Sequence, residues 1–176
     1  MKYLVTGGAG FIGSNIVDHL ISLNHEVTVI DNESSDANEQ FYWNDKAQNY
    51  KYDICDYEKI FPLFEGVDVV FHLAAEARIQ PCIINPKKAI ETNVKGTFNV
   101  LESSRHNNVK RVIYSSTSSA YGLKNKPPLK ESMPKDCLKS AAIFNSCSRT
   151  SGRKCSLASH NLGFKRSLNL TASSRL

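Results

Sequence analysis

The sequence predicts an α/β fold, a doubly wound parallel sheet, on three observations. Short apolar segments rich in β-branched residues alternate with stretches of helical periodicity. A glycine-rich turn separates the first apolar segment from the first helical one. The segments are spaced widely enough for crossover helices, which parallel strands require. With 176 residues, 41% hydrophobic and 22% charged, the chain suffices for one compact domain and excludes two full-sized ones.

Residues 2–5 form the first strand. In the helix that follows, Ile16, Leu20 and Leu23 fall on one face with Val17 and Ile21 beside them. Residues 25–31 make a second strand, 50–54 a third, 57–64 a short helix and 67–72 a fourth strand. Pro86 opens a long helix in which Ile90, Val94, Thr97 and Leu101 form one stripe. Ala89, Asn93, Gly96 and Val100 form the adjacent one, so a broad face is buried, Asn93 points inward, and Lys87, Glu91, Lys95 and Glu102 face water. Residues 111–116 complete a fifth strand. Right-handed crossovers order these strands 3-2-1-4-5, with ligands held at their carboxyl ends.

The net charge of +5 is unevenly placed. All 17 acidic residues lie at or before Asp136, whereas residues 137–176 hold seven basic residues, nine serines and no tyrosine. This divides the chain into a domain of residues 1–136 and an atypical basic, Ser-rich tail of residues 137–176. The tail's Arg149, Arg153, Lys154, Lys165 and Arg166 suggest a nucleic-acid or membrane arm. They are scattered among serines without interleaved aromatics, so neither partner is expected. No apolar run approaches the roughly 20 residues of a membrane helix. Five cysteines, with no Cys-x-x-Cys and no zinc-finger spacing, read as reduced thiols. A cytoplasmic protein without a bound metal is the expectation.

The first strand runs into Thr6-Gly-Gly-Ala-Gly-Phe-Ile-Gly13, and an amphipathic helix follows. Gly7 and Gly10 permit a tight turn and close approach of a pyrophosphate, while Gly13 lets helix and strand pack. Helix amides then face the anion. This makes the sheet Rossmann-type, and the plain alternative is a tight turn without a ligand. Asp31 lies 18 residues after Gly13, where a carboxylate accepts hydrogen bonds from ribose hydroxyls and repels a 2′-phosphate. Residues 32–45 hold no basic residue and four acids, Glu33, Asp36, Glu39 and Asp45. NAD is therefore expected rather than NADP; the alternative for Asp31 is a solvated strand-end carboxylate.

Taken together, the glycine loop, Val29-Ile-Asp31-Asn32, Tyr52-Asp53-Ile54, Phe71-His-Leu-Ala-Ala75, Asn93-Val-Lys-Gly96-Thr97, Tyr114 to Gly122 and Pro128-x-x-Glu131-x-x-Pro134 resemble a family. It is the extended short-chain dehydrogenases/reductases, in their NAD-dependent nucleotide-sugar epimerase/dehydratase group (UDP-glucose 4-epimerase-like). The resemblance covers about residues 1–135. It implies that Phe11 and Ile12 sit over the pyrophosphate, Asp31 and Asn32 hold the ribose, Asp53 and Ile54 meet the adenine, and Leu73, Ala74 and Ala75 line the cofactor pocket. It further implies that Thr117 is the catalytic hydroxyl on the substrate, with Ser116 and a cofactor-binding Ser115 beside it. Asn93 is implied to tie the long helix to neighbouring strands, or else to be a satisfied core amide. Nucleotide sugars are the implied substrates and a homodimer the implied assembly of an intact member.

The family pairs this hydroxyl with a tyrosinate and a lysine four residues on. A phenol with a pKa of about 10 needs that cation to ionise near neutrality. Here no tyrosine follows Tyr121, and Ala141 and Asn145 stand at about the relevant places. Tyr42 and Lys46 have the spacing but precede the threonine. Positioned acid–base groups contribute roughly 10²–10⁴-fold, so turnover by this chain is not expected. The domain is expected to be a truncated Rossmann-type sheet, with the coding sequence read out of frame or joined to foreign sequence from about Leu138. Another frame of the coding DNA should then hold Tyr-x-x-x-Lys shortly after this point. An epimerase is favoured over a dehydratase, because Ser118 rather than an acid follows Thr117. A reductase fragment and a non-catalytic NAD-binding module are the other readings. One flank of so short a domain is expected to be uncovered and to drive self-association.

Overall fold

The computed structural model describes residues 1–35 and 38–115, with Asn125, residues 128–130 and residues 132–133. Its centre is β1 (Lys2–Thr6), paired in parallel with β2 (Glu26–Ile30) on one side and β4 (Val69–His72) on the other. β3 (Gln48–Tyr50) extends the sheet beyond β2, and β5 (Arg111–Tyr114) extends it beyond β4. The order is β3-β2-β1-β4-β5, all parallel, as the crossover rule predicts.

Adjacent strand residues point to opposite faces, so a strand buried at consecutive positions must be covered on both. Leu4 and Val5 are both wholly buried. The Leu4 face packs with Ile30, Val70, Ile60, Phe64 and Val100, under α2 (Tyr57–Ile60), its 3₁₀ continuation Phe61–Phe64, and α5 (Thr97–His106). The Val5 face packs with Val27, Val29, Val17 and Leu20, under α1 (Phe11–Ser22). Each fully buried side chain of this size contributes about 1.5–3 kcal/mol. Two separate apolar layers thus make the sheet doubly wound.

Several expected boundaries shift. β3 ends at Tyr50 rather than at residue 54, so Tyr52, Asp53 and Ile54 belong to the turn that follows. Leu23 caps α1 and is half exposed, because the chain leaves the helix at Asn24 through a left-handed φ of 58°. The long helix is interrupted: α3 (Ile79–Ile84) and α4 (Pro86–Ile90) precede a π-helical segment, Glu91–Gly96, that leads into α5. Of the two expected stripes, Ala89, Asn93, Gly96 and Val100 are buried with Thr97, whereas Ile90 and Leu101 are exposed beside Phe98. The buried face is narrower than the sequence implies, taking Thr97 but neither Ile90 nor Leu101 from the other stripe.

One polar string crosses the buried layer. Thr6 Oγ1 lies 2.7 Å from His72 Nδ1, and His72 Nε2 lies 3.0 Å from Thr97 Oγ1. All three residues are buried, so β1, β4 and α5 are fixed to one another by groups that have no water to replace them. Burial pushes the His72 imidazole down from 6.5 to about 4. A histidine kept neutral in the fold but titrating normally when unfolded takes up its proton on unfolding as pH falls. Its contribution is present above pH 6.5 and is lost between 6.5 and 4. The denaturant stability of the wild type is expected to drop across that interval by up to about 3 kcal/mol more than that of His72→Leu. At pH 7 the variant should itself be weaker by about 3 kcal/mol, from stranded threonine hydroxyls. Parallel pH profiles for the two proteins would contradict this.

Candidate functional site

Parallel register brings the strand ends to one level. Thr6 pairs with Ile30 and His72, Ile30 with Tyr50, and His72 with Tyr114. The next residue of each strand, Gly7, Asp31, Lys51, Leu73 and Ser115, therefore falls along a single carboxyl edge. Four of these five are expected cofactor-binding residues, and Lys51 is the one the sequence argument passed over.

The glycine turn closes against its neighbours on this edge. The Gly7 N–H donates to Ile30 O at 2.8 Å, and Gly7 takes a φ of +71° that L side chains resist. A Cβ on Gly7 would stand 2.7 Å from Ala74 N, and one on Gly13 would stand 2.1 Å from Gly7 O. Loop, helix start and the end of β4 are thus in backbone contact. Gly10 is the N-cap of α1, and no side chain caps the helix there. Its first-turn amides remain available to an anion. Phe11 and Ile12 are exposed at this helix start.

Asp31 is fixed from two sides: Oδ2 accepts the Ala9 N–H at 3.1 Å and Oδ1 accepts the Glu33 N–H at 2.8 Å. Asn32 donates to Asp53 Oδ2 at 2.9 Å, and the Cys55 N–H donates to Asp53 Oδ1 at 2.7 Å. Burial raises the Asp53 pKa, but hydrogen bonds from Cys55 and Asn32 outweigh it and hold the carboxyl below its usual value. The turn carrying Asp53 and Ile54 is seated from below: Asn99 donates to Ile54 O at 2.9 Å, and Gly96 leaves room for the Ile54 side chain. Cys55 is free, and burial with the neighbouring Asp53 pushes its thiol up to about 12, so it stays protonated.

After β4, Leu73 N–H donates to Thr6 O at 3.1 Å, and Ala74 N–H reaches Thr6 Oγ1 at 3.4 Å. Asn93 clamps the backbone that follows, accepting the Glu76 N–H at 2.9 Å and donating to Glu76 O at 3.1 Å. It ties the π-segment to the loop after β4 rather than to a strand. Ser115 N–H donates to His72 O at 3.0 Å. Gly7, Gly10, Phe11, Ile12, Gly13, Asp31, Asn32, Asp53, Ile54, Leu73, Ala74, Ala75 and Ser115 are thus assembled around the sheet's carboxyl edge. Thr117, Ser116 and residues 138–146 lie outside the described residues. Beyond Lys51, the sequence argument missed Asn99, whose inward position at helical spacing from Gly96 was the available signal.

The residues fit an adenine dinucleotide. Three glycines form a backbone-walled cradle, uncapped helix amides stand beside it, and a fixed carboxylate ends the adjacent strand. The model of the NAD dependent epimerase/dehydratase family matches residues 3–146. UDP-glucose 4-epimerase of Streptomyces lividans is 37% identical over 136 residues, which are 76% of this chain and 41% of that protein. The crystal structure of UDP-glucose 4-epimerase from Thermotoga maritima superposes with a TM-score of 0.68 at 38% identity, covering 77% of this chain and 45% of that one. DesIV, a dTDP-glucose 4,6-dehydratase from Streptomyces venezuelae solved with NAD bound, gives 0.64 at 32% identity over 77% and 45%. The chain belongs to the NAD-dependent epimerase/dehydratase family, and the cofactor of that family is NAD. It spans less than half the length of these relatives.

Two glycine variants separate cradle from scaffold. Among the described residues a Cβ on Gly10 meets only the Asn38 side-chain amide at 3.3 Å and Gly7 O at 3.5 Å, so Gly10→Ala should melt within about 1 kcal/mol of wild type. It should nevertheless bind NAD at least about tenfold more weakly by calorimetry, a loss of roughly 1.4 kcal/mol. Gly13→Ala should instead destabilise the fold by about 3 kcal/mol.

Proposed function

We propose that this chain holds NAD as the cofactor-binding part of a nucleotide-sugar epimerase, and that by itself it binds the cofactor without turning over a sugar. Residues 1–136 form the NAD-binding domain and residues 137–176 a separate basic tail. The observation that carries this reading is the alignment of Gly7, Asp31, Leu73 and Ser115 along one strand edge. The uncapped start of α1 takes the pyrophosphate, with Phe11 and Ile12 covering it. Asp31 and Asn32 accept and orient the adenosine ribose, the Asp53–Ile54 turn meets the adenine, and Leu73, Ala74 and Ala75 wall the pocket. NAD, when bound, supplies the hydride acceptor that a sugar carbinol requires. Thr117 follows two residues after Ser115 and would hold the substrate hydroxyl by hydrogen bonding. The proton of that hydroxyl has no phenolate to receive it, since no tyrosine follows Tyr121.

The missing phenol also favours the second reading, a non-catalytic NAD-binding module. A dehydratase fragment ranks lower, because Ser118 rather than a carboxylate follows Thr117; a reductase fragment is the other alternative, on which Ser118 does not bear. The free thiols of Cys55 and Cys82 support a cytoplasmic setting. Among the described residues no helix is long and apolar enough to cross a membrane.

Self-association into a homodimer is part of the proposal: Phe98 is 61% exposed and Ile90 47%, with Leu101 on the same flank. Calorimetry of the full 176-residue chain should show saturable NAD binding, while UDP-glucose or UDP-galactose should produce no absorbance of reduced nicotinamide. Sugar-dependent reduction would overturn the claim of missing turnover, and no NAD binding would overturn the whole reading. Size exclusion should place the same sample above its monomer mass, and a clean monomer at all concentrations would remove the dimer.

A further inference from the structure

The carboxyl edge carries one charged pair that the cofactor reading does not use. Lys51 follows Tyr50 at the end of β3, and the Asp31 N–H donates to Tyr50 O at 3.2 Å, so Lys51 stands one strand away from the ribose carboxylate. Its ammonium is paired with the Glu33 carboxylate. Glu33 is only two residues past Asp31, takes a left-handed φ of 56°, and is held from its other side by Trp43 Nε1–H, which donates to Oε1 at 2.7 Å. The Lys51 side chain is 66% exposed and that of Glu33 25%, so the carboxylate is the better anchored partner. Contacts from Lys51 and Trp43 hold the Glu33 carboxyl below its ordinary pKa, and it remains charged at neutral pH.

An NADP site differs from an NAD site by a cation near the ribose that takes the 2′-phosphate. This chain has such a cation. We propose that Glu33 is a specificity-determining residue: by pairing with Lys51 and adding its own negative charge beside Asp31, it withholds the Lys51 ammonium and makes the cradle reject a 2′-phosphate. The proposal rests on the reading that the glycine cradle holds an adenine dinucleotide. An exposed ion pair is weak in itself, and a phosphate dianion would compete for it. What Glu33 imposes is mainly a charge: with it in place, the phosphate meets two carboxylates and one occupied ammonium. Without it, the flexible lysine stem is free to turn to the phosphate, and a charge-assisted contact replaces a repulsion.

Calorimetric titration of the full chain with NAD and with NADP tests this in the wild type, Glu33→Gln and the double variant Glu33→Gln/Lys51→Gln. Glutamine keeps an acceptor for Trp43 while removing the charge. The NADP-to-NAD affinity ratio should rise about tenfold in Glu33→Gln and keep only part of that rise in the double variant. Glu33→Ala repeats the comparison without the amide, so the outcome does not depend on one variant folding. An unchanged ratio in the single variants, with NAD still bound by the wild type, would overturn the role of Glu33 and leave the cradle standing. An equal rise in single and double variants would overturn the part played by Lys51. Binding of neither nucleotide by the wild type would overturn both the proposal and the reading beneath it.

Discussion

Parallel register is the constraint on which this molecule turns. Because Thr6, Ile30, Tyr50, His72 and Tyr114 stand opposite one another through successive pairings, whatever follows each strand emerges at one level. A slip of one residue in any pairing would move that strand's terminal group along the edge and turn its side chains to the other face. The binding chemistry therefore does not require any single unusual residue. It requires that a glycine, a carboxylate, one short apolar segment and a serine leave their strands together, which alternating burial of Leu4 and Val5 on two faces enforces.

The register is in turn protected by buried polar groups whose loss water cannot make good. Thr6, His72 and Thr97 connect the central strand, its neighbour and the helix above them. Thr6 Oγ1 also accepts the Ala74 N–H, so the same hydroxyl that anchors His72 touches the pocket wall. Asn93 and Asn99 repeat the device at two loops, clamping Glu76 and holding Ile54 O. Polar side chains on a helix that carries few large apolar residues thus position loops rather than fill a core. This accounts for why Asn93, Thr97 and Asn99 are buried while Phe98 and Leu101 on the same helix are not.

The strand order and the glycine cradle were legible because their signals are local: β-branched runs, glycine spacing and a carboxylate at a fixed distance. The helix stripe was half legible. Ala89, Asn93, Gly96 and Val100 are buried as their spacing implies, but Ile90 and Leu101 of the other stripe face outward, and periodicity alone carries no mark of the π-helical segment Glu91–Gly96. The third strand was the costly error. Placing it at residues 50–54 buries Lys51 within a strand, whereas its true end at Tyr50 delivers Lys51 to the edge beside Asp31. Residues 32–45 hold no basic residue, yet register brings the Lys51 cation into the neighbourhood of Asp31 from outside that span.

The two ends of the carboxyl edge are built differently. The end nearest β2 and β3, with Gly7, Asp31 and the Asp53 turn, is enclosed by α1 and seated on α5. Among the described residues the opposite end closes on β5, a short strand whose last three residues are only partly covered. The hydrogen bonds that fix the end nearest β2 and β3, from Ala9 to Asp31, from Asn32 to Asp53 and from Asn99 to Ile54 O, lie within residues 9–99. The sheet therefore completes one end of its edge before the chain reaches the other.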